Sequence, residues 1–362
     1  MSHLEQRLEA DLEDIRARVG AMGEAVEAAL GDAVQALVRR DFELAGETIL
    51  GDHAINRASR EIDRRCHSFV ALHLPSAGHL RFVSSVLRLN LELERIGDYA
   101  VTISREAVRI SAPLPELLAD DVELLAQQSR AMLRQAIAAF REGNSDLARG
   151  TLPMARQSDA LYRKVLSDLL QAGEKGQQEL QDLLALQAAL KGLERVSDQA
   201  KNLCEETIFI VTGETKAPKH FRVLFVEAAN DGASLIAEAL ARDSFADSGE
   251  FASAGWAPAT AADSRVAAFL SRRGFDLAAL EPKALEPQGD ELEAYHVIVD
   301  LSGDGRGHLQ VPFRTVLLSW DVALDLGDLD PERAAPRLEN CYRDLAHRLR
   351  ELMERLRGAE NL

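Results

Sequence analysis

The segment Leu93-Glu94-Arg95-Ile96-Gly97-Asp98 returns 100 residues later as Leu193-Glu194-Arg195-Val196-Ser197-Asp198. In both copies an Asp follows the Glu by four positions, and on an α-helix positions i and i+4 share a face. Each copy therefore presents two carboxylates side by side within an otherwise apolar pattern. Burying them without a positive partner is costly. Each pair should meet either the Arg that follows the Glu or a metal ion. A repeat of this length is too long for a solenoid unit and points to two pseudo-symmetric bundles.

Working outward, apolar residues recur at three and four through Leu4, Leu8, Leu12, Ile15, Val19, Met22 and Val26, and helical periodicity continues to about residue 213. It is interrupted at Arg40-Asp41-Phe42, His73-Leu74-Pro75-Ser76-Ala77-Gly78 and Ser111-Ala112-Pro113-Leu114-Pro115. In the second copy it is interrupted at Glu142-Gly143-Asn144-Ser145 and Ala172-Gly173-Glu174-Lys175-Gly176. This predicts six long helices, three per repeat, with the Glu-Arg-Asp segment on the third helix each time. Short connections imply antiparallel neighbours, so residues 1–112 and 113–215 read as two three-helix bundles.

Residues 216–220, beginning Lys216-Ala217-Pro218-Lys219, read as a linker. Beyond it the pattern changes. Phe221 to Val226 is a short buried strand, followed by a turn and a helix starting near Ser234. Tyr295 to Leu301 and Thr315 to Ser319 are further strands, with helices around 263–274 and 332–357. Alternating strand and helix implies a parallel sheet covered by helices. The fold class expected is all-α in the first part, with a separate α/β domain over 221–362.

The 362 residues, 46% hydrophobic and 28% charged, suffice for two or three soluble cores. Aromatics at 5% suit helices built on Leu and Ala better than a β-sandwich. A net charge of −17 without a basic tail argues against nucleic acid as a partner. No signal peptide opens the sequence, and no apolar run approaches the roughly 20 residues that span a bilayer, so membrane insertion is not expected. Cys66, Cys204 and Cys341 are odd in number and widely spaced. They read as reduced core residues of a cytoplasmic protein, not as a disulfide framework.

In the second repeat Glu194, Asp198, Asn202 and Glu205 fall at i, i+4, i+8 and i+11, one stripe of oxygen donors. Such donors suit hard cations. The matching positions of the first repeat are Glu94, Asp98, Thr102 and Arg105, of which only the first two are strong ligands. Two other readings stay open: a solvated intrahelical ion-pair face, and a buried Glu–Arg network that fixes helix pairing without metal. Glu106 and Glu206, one turn on, read as surface residues.

Both Glu-Arg-Asp segments resemble the signature of PhoU-type phosphate-transport regulators. So do Asp52-His53-Ala54-Ile55-Asn56, His73 through Arg81, and the ending Asn202-Leu203-Cys204-Glu205-Glu206-Thr207 to Thr212-Gly213-Glu214. The resemblance covers about 1–215. It implies bundles that bind multinuclear iron or another hard cation, with magnesium, manganese or zinc as alternatives. It also implies a cytoplasmic adaptor that restrains phosphate uptake and signalling through the ATPase of the phosphate ABC transporter and a phosphate-sensing histidine kinase. A homodimer is the assembly to test for. This sequence departs from the family pattern at His79, where Asp is usual, and at Thr102 with Arg105, where Asn with Glu is frequent.

In the second half a strand, the loop Glu227-Ala228-Ala229-Asn230-Asp231-Gly232-Ala233-Ser234 and a helix follow one another, an order that can seat phosphate on a helix N-terminus. Asn230, Ser234, Ala237-Glu238-Ala239, the segment Phe251 to Trp256, and Ser319-Trp320-Asp321 resemble low-molecular-weight tyrosine phosphatases and the related thioredoxin-coupled arsenate reductases over about 221–357. That resemblance implies a nucleophilic Cys opening the loop and an Arg six positions later. Here Glu227 and Ala233 stand at those places. A carboxylate repels an incoming oxyanion, and without the Arg the main cationic clamp is missing. The expectation is a non-catalytic module, whose loop is either an ordinary turn or is filled by the Glu227 carboxylate as an internal anion. The alternative is a divergent phosphatase or arsenate reductase, with Asp321 or Asp325 near the acid position.

Overall fold

The computed structural model describes residues 3–176, 179–215, 220–276, 280–285, 290–312, 314–322 and 324–357. Residues 216–219 of the expected linker 216–220 and the last residues of the expected second domain, 358–362, lie outside them. The chain divides into two compact units, Met1–Lys216 and Ala217–Leu362.

The first unit is built from α1 (His3–Arg39), α2 (Phe42–Leu72), α3 (Ala77–Arg109), α4 (Glu116–Glu142), α5 (Ser145–Thr151), α6 (Met154–Glu174) and α7 (Leu180–Thr212). The expected breaks hold for local reasons. Asp41 caps α2 by accepting from the Leu44 N–H, and Ser76 with His79 forms a capping box at the start of α3. Gly143 ends α4 at φ 62°, and Gly213 ends α7 at φ 76°, the left-handed conformation that glycine takes without penalty.

One expectation is corrected. Among the described residues the six long helices are joined by a seventh, short one, because the second helix of the second repeat is interrupted at Leu152-Pro153. Proline has no N–H to continue the ladder, and its ring crowds the preceding turn.

The repeats join along two antiparallel seams. On α3 and α7, Arg81 Nε donates to the Ile210 carbonyl at one end, and Arg88 grips Glu206 through Nε and Nη2, each at 2.7 Å. Near the other end Gly192 packs on Ile103. On α1 and α4, Glu27 receives Arg130 and Arg134, each at 2.8 Å. A Cβ on Gly23 would come within 2.8 Å of the Ile137 side chain, so glycine permits the close approach of these helices. One apolar core runs through both repeats, from Ile15 and Val26 to Leu93, Val122, Leu193 and Cys204. Glu206, expected at the surface, is thus a bridge between repeats.

The second unit holds β1 (Phe221–Val226), α8 (Ala233–Ser244), β2 (Gly249–Ala254), α9 (Ser264–Arg272), β3 (Val297–Asp300), β4 (Val316–Ser319) and α10 (Pro331–Arg357), with 3-10 turns at Asp290–Ala294 and Gly305–Gly307. All pairings are parallel, in the order β2-β1-β3-β4. Val223 and Phe225 of β1 enter one core with α8, α9 and α10, while Leu224 and Val226 enter another with Leu285, Leu292 and Leu309. Alternate residues therefore bury on opposite faces, as a covered parallel sheet requires.

Candidate functional site

Two places carry the chemistry anticipated from the sequence, one in each unit. In the first repeat Glu94 and Asp98 lie on α3 facing α2, and the structure adds Asp52 of α2 to them. Gly97 makes room: a Cβ there would meet Ile55 at 3.3 Å and Asp52 Oδ1 at 3.5 Å. Asp52 Oδ2 accepts from Asn56 Nδ2 at 2.6 Å, whereas its buried Oδ1 has no hydrogen-bond partner. Burial, then the charges of Asp98 and Asp52, push the Glu94 carboxyl above its ordinary range. Burial and the Asp52 charge do the same to Asp98, with Arg105 opposing. Farther along the same groove, Asn90 Nδ2 donates to Asp63 Oδ1 at 2.9 Å.

The second repeat is built differently. Glu194 is buried, and Lys191 Nζ lies 2.7 Å from its Oε2. Arg195 reaches Asp198 at 3.4 Å. Asn202 does not join the carboxylates: its Nδ2 faces Glu92 of α3 at 3.4 Å and Gln199 at 3.2 Å. Glu205 is half-buried beyond it. The stripe Glu194, Asp198, Asn202, Glu205 is thus drawn into ion pairing and helix contacts. The shorter stripe of the first repeat gathers the additional carboxylate.

Among the described residues no three His, Cys, Asp or Glu side chains converge into a ready ligand set. The first ridge still suits a hard cation, since it combines mutually repelling carboxylates with the orphaned Asp52 Oδ1. Asp52 appeared in the sequence only within a motif, and Lys191 not at all. The signal for Asp52 was available in the helical spacing of Asp52, Asn56 and Asp63 on α2.

In the second unit the loop between β1 and α8 closes on itself. Glu227 Oε1 accepts from the Gly232 N–H at 2.9 Å, the Ser234 N–H at 3.1 Å and Ser234 Oγ at 2.6 Å. The carboxylate therefore sits on the donors at the start of α8. Asn230, buried and at φ 48°, holds the loop by donating to Ser234 Oγ at 2.7 Å and accepting from the Lys283 N–H at 2.7 Å. The segment after β2 runs alongside: Ala257, Ala259 and Asp263 N–H groups donate to the carbonyls of Ala228, Ala229 and Asp231. A Cβ on Gly255 would fall 2.5 Å from the Ala228 carbonyl oxygen, so glycine is required for this approach. Ala233 is buried at the first position of α8.

Leu324 lies over Gly232. Nearby, Asp321, Asp325, Arg337, Asn340, Cys341 and Asp344 line a cavity of about 410 Å³. The Arg337 guanidinium is occupied by the Asp325 carbonyl. Burial, reinforced by the Glu227 and Asp344 charges, pushes the Cys341 thiol up to about 12. Burial and the Asp263 charge also raise Asp231. The loop surroundings are therefore acidic where an oxyanion would enter.

Comparison with known proteins follows the same division. A family model described as PhoU domain matches residues 19–107 and 122–207, and one described as low molecular weight phosphotyrosine protein phosphatase matches 222–361. The phosphate-specific transport system accessory protein PhoU homolog of Pseudomonas putida is 33% identical over 215 residues, covering 58% of this chain and 83% of that protein. The accessory protein PhoU of Escherichia coli K12 is 30% identical over 212 residues, 59% of this chain and 88% of its own. The crystal structure of PhoU from Pseudomonas aeruginosa matches with a TM-score of 0.53 at 31% identity, over 57% of this chain and 99% of that one.

Proposed function

Because the chain belongs to the PhoU family over its helical unit and carries a low-molecular-weight-phosphatase domain behind it, we propose that it is a regulatory adaptor of phosphate uptake and phosphate-responsive signalling. In this reading it acts in the cytoplasm as a negative regulator. The helical unit docks on the ATPase of a phosphate transporter and on a phosphate-sensing histidine kinase, alone or as a homodimer. The observation that carries the reading is the extent of the likeness, which takes in both repeats and 83% of a phosphate-transport accessory protein.

The α/β domain serves in this reading as a non-catalytic module, a pseudophosphatase. Its support is the Glu227 carboxylate, held by Gly232 and Ser234 on the donors that substrate phosphate would need. With Ala233 there is no guanidinium at the sixth position after Glu227 to clamp equatorial oxygens. Asp52, Glu94 and Asp98 would hold a hard cation such as iron, and the ion would neutralise the first ridge.

The test is genetic and biochemical. In a host stripped of its own phosphate-transport accessory regulator, the chain should restore repression of phosphate-starvation genes in phosphate-rich medium. Tagged protein from phosphate-rich cells should recover the transporter ATPase or the sensor kinase. A reporter that ignores the chain, with neither partner recovered, counts against the adaptor reading.

A further inference from the structure

Lys191 decides how the two repeats differ. Its ammonium lies 2.7 Å from Glu194 Oε2 and 5.5 Å from the centroid of the Tyr162 ring, so it is held between a carboxylate and an aromatic face. Glu194 is only 2% exposed, which makes that charge contact strong by the standards of surface pairs. Arg195 adds a longer approach to Glu194 at 3.8 Å.

The first repeat lacks this arrangement. The residue 100 positions before Lys191 is Leu91, whose side chain is exposed. The facing helices differ too. The buried positions Ile55, Ile62, Cys66 and Phe69 of α2 follow the same spacing as Ser158, Val165, Leu169 and Ala172 of α6. On that register Asp52 becomes Ala155. In the first ridge the neighbouring helix supplies Asp52; in the second Ala155 stands at that place, Asp159 follows one turn on where α2 has Asn56, and an ammonium lies against Glu194.

We propose that Lys191 is the built-in cation of the second ridge, so that the second repeat is closed to metal while the first stays open through Asp52, Glu94 and Asp98. The open half rests on the metal reading given above; the closed half does not. A metal ion and an ammonium compete for the same carboxylate oxygens. An ammonium 2.7 Å from Glu194 Oε2 takes up the space and the charge that an incoming ion would need.

Titration of the full chain with Mn²⁺, followed by calorimetry and by the paramagnetic resonance of bound manganese, tests this. The wild type should show one class of site, lost in Glu94→Gln/Asp98→Asn and kept in Glu194→Gln. Lys191→Leu, which installs the residue of the first repeat, should gain a second class, removed by adding Glu194→Gln. Lys191→Gln serves the same purpose if the leucine variant melts early. Wild-type binding that vanishes with Glu194→Gln overturns the proposal. So does a folded Lys191 variant that gains no site. A wild type that binds no manganese, beside a Lys191 variant that gains one Glu194-dependent site, sinks the metal reading of the first ridge and leaves the role of Lys191 standing.

Discussion

Ser234 donates twice to Glu227, through its N–H at 3.1 Å and its hydroxyl at 2.6 Å, and so locks a carboxylate of the loop onto the start of the helix that follows. The donors at the start of α8 are thereby occupied from within. Removing the carboxylate should free them. Glu227→Ala is expected to lose about 2 kcal/mol of stability through the abandoned donors, and to recover part of it on adding millimolar phosphate or arsenate. Calorimetry should find oxyanion binding at least about tenfold tighter than in the wild type, or ~1.4 kcal/mol. Millimolar phosphate binding by the wild type would defeat the idea. Turnover of p-nitrophenyl phosphate that is abolished by Glu227→Gln would make the domain an enzyme.

The thiols offer a second check. Burial is the main cause that pushes Cys66, Cys204 and Cys341 up to about 12, so none carries appreciable thiolate near neutrality. In the native protein all three should resist a disulfide reagent at mildly alkaline pH and react together once the chain is unfolded. A thiol that reacts in the folded state would be the sign of a nucleophile.

Much of this architecture could be read in the residues themselves. Phe221–Val226 is expected as a strand and is one, because five apolar residues of six, broken only by Arg222, between a proline linker and a small-residue loop have few other uses. The third helices of both repeats were marked by their own motif. The break at Pro153 was missed because the apolar spacing runs on through it from Leu147 to Leu161. The spacing of Asp52 and Lys191 along their own helices did not say what they face. Periodicity assigns a residue to a face of its own helix, but which face of which neighbour it meets is set by packing between helices. The same limit hid Arg88 and Glu206, which are partners across 118 residues.

Asp182, only 1% exposed, accepts from the N–H and hydroxyl of Ser111, each at 2.9 Å, and from the Ala112 N–H at 3.1 Å. Burial raises its carboxyl, but these bonds and the Arg40 charge outweigh it and leave the pKa below the ordinary range. A depressed folded pKa means that the unfolded chain binds more protons. The stabilisation is then complete above the unfolded pKa and drains away as pH falls through the folded one. Asp182→Asn should cost about 2–3 kcal/mol at neutral pH and flatten the acid limb of the stability curve, as read by urea melts across pH.

Glu94 and Asp98 run the other way. Their raised pKa values mean that the folded chain holds protons to higher pH than the unfolded chain does. Stability therefore falls as pH rises through that interval. With a chelator present, Glu94→Gln and Asp98→Asn should each raise neutral-pH stability, by about 0.5 kcal/mol or less because the ridge is partly solvated. A loss of stability in both variants would mean that the carboxylates are structural and not held against repulsion for a ligand.

The seams between α3 and α7 and between α1 and α4 make the polypeptide link at Ala112-Pro113 almost incidental to cohesion. Either repeat alone would bare the faces around Gly23, Ile103 and Ile137 and would need a twin to cover them. The helical unit is in effect a pair of like subunits sewn into one strand. Within that frame the halves are unlike, with Leu91 beside one acidic segment and Lys191 beside the other.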